Sequence, residues 1–389
     1  MKEIIYAIFL SFFLCGLCGN AEAKKKKEVK KAIKREVQTP YDKLFKGKKA
    51  FTVNGLMKMH LMAGKVYAEF PIELLNRDLA LTSSIEDISD NGEGVVGQFA
   101  GRVNQFRFTL QDSMLQARLV RRYGVKNTGM GKNADQIIER SNTPGIFQSY
   151  KILAYTPDKK AVVVDMTELF LESSRLTNPF PSYAGNSLYG FVQRIHKFQS
   201  QRSELLGICG NDNSMSVRCN LGFNVDRLVL GSFMQAKDVP VSVTVNKILM
   251  LLPEDPMRPR LADSRIGVNA IIQTELPDVC QGIKPYYITK RWRIEPVDEI
   301  RYKQGEMVDV KKPIVFYIDT LMPDSWIKYV KAGAEAWNAA FEKIGLRNVV
   351  RTELFPKDSS FDAGDIHNSV IRYAPSWMYY PQYSMHTDP

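Results

Sequence analysis

Histidine and glutamate could together bind and use a catalytic metal, so their spacing decides what chemistry this chain can support. The chain has four histidines, His60, His196, His367 and His386. A zinc peptidase places two histidines four residues apart on one helix, with a glutamate next to the first, because that spacing brings both imidazoles to one zinc ion. No two histidines here lie within helical reach of each other, and the pattern H-E-x-x-H is absent. We therefore predict four ordinary surface or half-buried histidines, and we assign no catalytic, cofactor-binding or metal-binding residue.

The N-terminal 23 residues have the pattern of a secretory signal peptide. A lysine near the start precedes an apolar run that is too short for a membrane span, and small residues at Ala21 and Ala23 favour cleavage after Ala23. The alternative is a lipoprotein anchored through Cys15 or Cys18. Lipid attachment prefers a small residue before the cysteine, whereas each of these two follows a leucine. We expect an exported protein, located in the periplasm, at the outer-membrane surface or outside the cell. No further transmembrane segment is predicted.

A cysteine or a serine could instead act as a catalytic nucleophile. No cysteine has a plausible histidine partner, the serines show no G-x-S-x-G, and phosphate-binding or dinucleotide-binding glycine loops are absent. Cys209 and Cys219 bracket a polar segment, GNDNSMSVR, which a disulfide could close, because export permits disulfides. The alternative is that Cys209, Cys219 and Cys280 are small buried or free thiols. With no C-x-x-C outside the signal peptide, a structural zinc site is not expected.

The positive charge is concentrated at one end. The chain carries a net charge of +11, and residues 24–36, which begin at Lys24 and include Arg35, hold eight basic and two acidic residues. We interpret residues 24–39 as a flexible basic leader, with weak association of residues 24–35 with an anionic surface as the alternative. Basic residues are not interleaved with aromatic ones, so nucleic acid is not an expected partner.

The rest of the chain predicts an α+β fold that is rich in strands. Hydrophobic residues make up 44% and charged residues 24%, which is typical of a globular protein. We predict a small domain over residues 40–94, bounded by the glycine-rich loop after Asp90, and a middle domain over residues 95–295. Alternating apolar residues predict strands, and alanine and glutamate enrichment predicts short helices near residues 134–141 and 167–173. The strands fall at 103–110, 114–121, 147–155, 161–166 and 239–252.

The last domain, residues 296–389, shows the clearest pattern. Residues 314–318 form an apolar strand, and a helix then follows that ends at Gly345, where a left-handed residue suits a helix terminus. Two further strands are expected at 348–354 and 366–373. Apolar residues spaced three or four apart predict the buried face of that helix: Trp326, Val330, Ala334, Trp337, Phe341 and Ile344.

These blocks resemble a known family. The sequences PIVFYIDTLMPDSWIKYVKAGAEAWNAAFEKIGLRNVV and DAGDIHNSVIRYAPS look like the opening of the catalytic domain in large secreted zinc-dependent metalloproteases of Bacteroidetes-type bacteria, which are metzincin-like. PYDKLFKGKKAFTV, FPIELLNRDLALTSSI, DPMRPRLADSRIGVN and KRWRIEP resemble their small and middle domains. The resemblance spans roughly residues 40–389.

The resemblance implies a β-rich accessory region followed by an incomplete zincin-like α/β catalytic subdomain. In the family, zinc is held by a helix with H-E-x-x-H, and this chain contains no such helix. We therefore expect no cofactor in this chain, zinc in the full-length family, and a peptide or protein substrate for the full-length form only. The alternative is a secreted binding protein on the same scaffold, without catalysis. If the chain is such an incomplete enzyme, the apolar face of residues 366–373 should be partly exposed.

Overall fold

The structure is a computed structural model that describes the following residues: 38–99, 103–120, 125–127, 131–173, 177–180, 192–230, 233–277, 282–357 and 361–375. The predicted signal peptide, nearly all of the basic leader, Cys280 and His386 lie outside these ranges, so those predictions stay untested.

Strands dominate the fold, as predicted. The strands are β1 (Phe51–Val53), β2 (Lys58–Met62), β3 (Lys65–Pro71), β4 (Asp78–Ile88), β5 (Asn104–Gln111), β6 (Met114–Val120), β7 (Val125–Asn127), β8 (Gly145–Lys151), β9 (Ala154–Tyr155), β10 (Ala161–Asp165), β11 (Val192–Asn211), β12 (Ser214–Val229), β13 (Phe233–Leu251), β14 (Ala270–Leu276), β15 (Lys284–Thr289), β16 (Val308–Asp309), β17 (Ile314–Ile318), β18 (Leu346–Arg347), β19 (Val350–Leu354) and β20 (Ser369–Ile371). The helices are α1 (Pro40–Phe45), α2 (Lys132–Ser141), α3 (Thr167–Leu171), α4 (Glu299–Lys303), α5 (Asp324–Glu335) and α6 (Asn338–Glu342).

The first sheet is antiparallel and has the order β1-β2-β3-β10-β9. A hairpin lies at its centre: β2 and β3 are joined by Ala63 and Gly64, both with positive φ. Two such residues match the right-handed twist of the strands they connect. Val66, Ala68 and Phe70 are fully buried along β3 and anchor this sheet in the main core.

The second sheet is antiparallel and seven-stranded, with the order β11-β12-β13-β4-β5-β6-β8. Its long strands β11, β12 and β13 form a three-stranded arm. Alternating valines on β13 are buried against Leu221 and Phe223 of β12, which is the pattern expected when one face of a strand is covered. The arm's remaining face is largely polar, and part of it contacts the C-terminal region described below.

The predicted boundary at residue 94 does not separate two hydrophobic cores. β4, which belongs to the predicted small domain, lies between β13 and β5 of the predicted middle domain, while β9 and β10 complete the sheet of the small domain. One core therefore contains side chains from both regions, and residues 39–389 form one compact unit. The polar glycine loop could not indicate this shared core, because strand exchange between sheets leaves no trace in local composition.

The last elements form parallel pairs. β17 pairs in parallel with β19 on one side and β20 on the other, giving the order β19-β17-β20. The strand predicted at 314–318 and the turn at Gly345 are confirmed, since Gly345 has φ +83°. The single predicted helix is divided into α5 and α6 by Ala336 and Trp337, which keep helical dihedral angles.

Candidate functional site

His60 belongs to a buried polar cluster on the first sheet. Its Nε2 lies 3.0 Å from Glu69 Oε1, and its Nδ1 lies 2.8 Å from the Thr52 hydroxyl. Tyr41 of α1 donates to the same carboxylate at 2.6 Å, and Lys58 approaches it at 3.1 Å. Burial would raise the pKa of Glu69, but the hydrogen bonds from His60, Tyr41 and Lys58 lower it to about 2. The cluster fastens α1 to the sheet.

His196 belongs to a second cluster, centred on Glu93 in the loop after β4. The Glu93 side chain is completely buried and lies 2.8 Å from His196 Nε2, 3.2 Å from Arg194 Nε and 2.8 Å from Arg227 Nη2. The His196 ring stacks on Phe180 with centroids 3.9 Å apart. Burial raises the pKa of Glu93, but His196 and the two arginines more than offset it, so that the pKa is lowered. The loop predicted to be a domain boundary is thus fixed to the arm.

Cys209 and Cys219 do not form the predicted disulfide, and both thiols are free. The two cysteines lie on adjacent strands, but Cys209 pairs with Ser216 and Cys219 pairs with Leu205. They are therefore offset along the hairpin and point to opposite faces, because neighbouring residues of a strand alternate. Cys209 is exposed, whereas Cys219 is buried and donates to the Phe170 carbonyl at 3.2 Å.

The unit formed by β17, α5, β19 and β20 is the part that the sequence associated with catalysis. Asn338 holds α6 against β19 through two hydrogen bonds with the Val350 backbone, at 2.8 and 2.9 Å. Ile327 and Val330 of α5 are half-buried, but no residue of α5 or α6 is buried. The β20 strand pairs only with β17 among the described strands.

The predicted buried face of the helix is only partly correct. Val330, Ala334 and Phe341 are half-buried, but Trp326 is 55% exposed and Trp337 is 65% exposed. Tyr329 is also exposed, at 68%. Trp326, Tyr329 and Trp337 form what we call the aromatic stripe. The helix is apolar on more than one side, so residue spacing alone could not show which side faces the sheet.

The segment that precedes β20 folds into a tight turn. The Asp362 carboxylate accepts from the Gly364 amide at 2.7 Å, and the Asn368 amide donates to the Asp362 carbonyl at 2.8 Å. His367 Nδ1 lies 2.7 Å from Asp365 Oδ1, a contact that raises the pKa of His367. This third histidine is therefore paired with a carboxylate, as His60 and His196 are.

This turn lies on the polar face of the arm, and we call the contact the polar junction. The Asn246 amide donates to the Gly364 carbonyl at 3.4 Å, the Asn211 amide lies 3.4 Å from His367 Nδ1, and all of these distances are long for direct hydrogen bonds. Glu86 of β4, whose pKa is raised by burial despite its ion pair with Arg218, lies beside the turn.

The polar junction also contains buried atoms that lack partners. Ser84 Oγ, Asn246 Oδ1 and Arg372 Nε are buried without a hydrogen bond. Ser84 and Asn246 are opposite each other on β4 and β13, and Arg372 interacts electrostatically with the neighbouring Glu86. Long contacts together with unpaired polar groups are characteristic of an interface that is bridged by water.

Residues 97–297 match the model of a family described as a domain of unknown function, DUF5117, and this match covers more than half of the chain. The chain belongs to the DUF5117 family. Residues 38–88 match the model of a second domain of unknown function, DUF5118. No curated protein and no solved structure matches the chain.

The two regions can be placed on the fold. The DUF5118 region contains α1 and β1 to β4, and the DUF5117 region contains β5 to β15. The parallel unit and the polar junction's turn lie beyond both matches. Within the polar junction, the turn meets Glu86 from the DUF5118 region and Asn246 from the DUF5117 region. Both regions therefore help to hold the segment that leads into β20.

The described residues do not fit a zinc site. Among them, no group of three or more His, Cys, Asp or Glu side chains is arranged to hold a metal ion. His60, His196 and His367 lie in separate clusters, each with its own carboxylate partner. Across the same ranges, no helix is both long and apolar enough to cross a membrane.

Proposed function

We propose that this chain is the N-terminal accessory region and the opening part of the catalytic domain of a secreted, metzincin-like zinc metalloprotease, and that it does not hydrolyse peptides alone. The observation that carries the proposal is the parallel unit of β17, α5, β19 and β20. A strand, a helix and two further strands in this order resemble the opening of the catalytic domain in that family. The resemblance of residues 40–295 to the accessory domains supports the same assignment.

The incompleteness of this unit supports the second half of the proposal. Parallel sheets are usually covered on both faces and continue into further strands. Among the described residues the sheet has three strands, β20 has three residues, and the aromatic stripe is exposed. A polypeptide that continued the domain would pair with the outer edge of β20 and cover this apolar surface.

Zinc would be bound outside the residues described here. Because the three described histidines are engaged with Glu69, Glu93 and Asp365, we assign none of them to zinc and derive no catalytic step from them. The contribution of this chain is positional: the seven-stranded sheet supports the turn before β20 through the polar junction. The proposal includes export, with cleavage after Ala23.

The test compares this chain with the product of its extended reading frame. The DNA beyond codon 389 is sequenced, and both proteins are purified and assayed for zinc content and for hydrolysis of a denatured protein substrate. We expect an H-E-x-x-H motif downstream, stoichiometric zinc and hydrolysis for the longer product, and neither property for this chain. Stoichiometric zinc in this chain, or a genuine stop followed by unrelated sequence, would contradict the proposal; the latter would favour a secreted binding protein.

A further inference from the structure

Two short basic sequences that are far apart in the chain meet in the structure. The first is Met-Arg-Pro-Arg at 257–260, and the second is Lys-Arg-Trp-Arg at 290–293. They run antiparallel: Leu261 bridges Ile288, and the Thr289 amide donates to the Arg260 carbonyl at 2.9 Å. Continuing this register places Arg291 opposite Arg258. The fold therefore brings four arginines of a mildly basic protein into one small region.

The two segments form the walls of a crevice of about 320 Å³. Arg258, Arg291 and Arg293 line it together with Asp255 and Glu295, and we call it the arginine crevice. Its volume is at the lower end of the range found for small-molecule sites, about 300–1,000 Å³. It is large enough for a compact ligand or for one end of a longer one.

Asp255 and Glu295, the two acidic residues of the crevice, both form ion pairs with Arg293. Arg293 Nε lies 2.9 Å from Glu295 Oε1, and its Nη2 lies 3.5 Å from Asp255 Oδ2. Glu295 also receives Lys311 at 3.3 Å. These contacts hold Arg293 in place and neutralise it. Among the described residues, no carboxylate pairs with the other two arginines that line the crevice.

Arg258 and Arg291 lack an anionic partner. Within the part of the chain that the structure describes, the Arg258 guanidinium makes no hydrogen bond or ion pair, and the Arg291 guanidinium donates only to the Arg258 carbonyl. Like charges directly opposite each other on paired segments are destabilising. An oxyanion between the two guanidinium groups would remove this repulsion and accept their fixed, planar array of donors.

We propose that the arginine crevice binds the oxyanion of a small ligand or of a chain terminus, a carboxylate or a phosphate, through Arg258 and Arg291. Arg293 forms part of the wall. Because Asp255 and Glu295 pair with Arg293, they do not compete with the ligand for the guanidinium groups of Arg258 and Arg291. Met257 and Ile294 add apolar surface for the portion of the ligand next to its charged group. The proposal does not depend on the proposed function of the chain.

The test is calorimetric titration of the purified chain that lacks the signal peptide. The probes are inorganic phosphate, acetyl-dialanine with a free carboxylate, and the same peptide as its amide. We expect saturable binding of phosphate, of the free peptide, or of both, with affinity that falls as salt is raised because the attraction is electrostatic. The probe that binds identifies the chemical source of the oxyanion. The amide should not bind.

Three variants decide whether the crevice is responsible. Arg258→Gln and Arg291→Gln should each weaken oxyanion binding at least tenfold. Arg258→Gln should not lower the melting temperature of the ligand-free protein, since it removes a repulsion and no hydrogen bond. Arg265→Gln is the matched control, because Arg265 is 87% exposed and pairs with Asp263 away from the crevice. Absence of saturable binding by every probe, equal binding of the amide, or an equal loss in Arg265→Gln would overturn the proposal.

Discussion

The charged side chains of this protein differ in how completely they are paired with groups of opposite charge or with hydrogen-bond donors. Glu69 and Glu93 are buried carboxylates that each receive several donors, and each has a lowered pKa although burial would raise it. Such clusters tend to be costly to disrupt, because removing the charge leaves buried donors without an acceptor. The sequence contained their members, but the alternation of side chains along a strand could not show which carboxylate would face which histidine.

Replacing Glu69 tests the cluster that holds α1. Glu69→Gln leaves Tyr41, His60 and Lys58 without a charged acceptor, and we expect a loss of about 1–3 kcal/mol in the free energy of unfolding at neutral pH. Chemical denaturation measures it. Glu73→Gln is the control, since Glu73 is exposed on the turn after β3. An equal loss of unfolding free energy in both variants would show that the hydrogen bonds to Glu69 do not stabilise the fold.

The same carboxylate predicts a pH dependence. The folded-state pKa of Glu69 is lowered from the ordinary 4.5 to about 2, so the unfolded chain binds more protons at this residue than the folded protein does between those values. The stabilisation by the ionised group is therefore complete above pH 4.5 and is lost as the pH falls toward about 2. We expect the difference in stability between the wild type and Glu69→Gln to shrink over that window. A constant difference would contradict the assignment.

Gly364 offers a residue-level test of the polar junction. A Cβ added there would lie 3.0 Å from Glu86 Oε1 and 3.0 Å from Asn246 Nδ2, which is closer than such contacts normally are. We expect Gly364→Ala to destabilise the contact by about 1–3 kcal/mol, seen as faster hydrogen exchange at the β20 amides. Gly145→Ala is the control, because no atom lies within 4 Å of its added Cβ. Unchanged exchange in Gly364→Ala would show that the turn is not packed against the arm.

At the scale of elements, α5 shows how far the sequence could be followed. The strand before it and the turn at Gly345, which follows α6, were predictable because they depend on local preferences and apolar spacing. Its orientation was not, since Trp326 and Trp337 occur at the spacing of a buried face and yet are exposed. The disulfide prediction failed for a related reason: the ten-residue separation of the two cysteines suggested a loop, whereas each lies in a strand whose register sends them to opposite faces.

The aromatic stripe distinguishes this chain from a longer product. In this chain Trp337→Gln should change the free energy of unfolding by no more than about 0.5 kcal/mol, because the ring is already in water. In the product of the extended reading frame, where we propose that the surface is covered, the same change should cost about 3 kcal/mol. Val330→Ala, which touches the half-buried side of α5, should cost about 1 kcal/mol in both proteins. Equal small effects of Trp337→Gln in the two proteins would contradict the proposed covering.

For the whole molecule, the shared core predicts that the two family regions do not fold apart. Residues 39–94 alone would lack β9 and β10 from their sheet, and residues 95–389 alone would lack β4 between β13 and β5. We expect both fragments to show no cooperative unfolding transition and poorly dispersed amide spectra, whereas residues 39–389 unfold cooperatively. An independently folded fragment 39–94 would refute the single core.

The position of β4 also determines when its two edges can pair during synthesis. Leu79 pairs with Leu251 and Ile88 with Val243, so β4 can obtain its neighbour only after more than 150 further residues have been made. Until then one edge of this eleven-residue strand, most of which is buried in the folded protein, has no partner, and contacts over such distances in the sequence form slowly. Until β13 is available, this edge could pair with strands of other chains. The strand that joins the two regions in the folded protein therefore has one unpaired edge during much of synthesis.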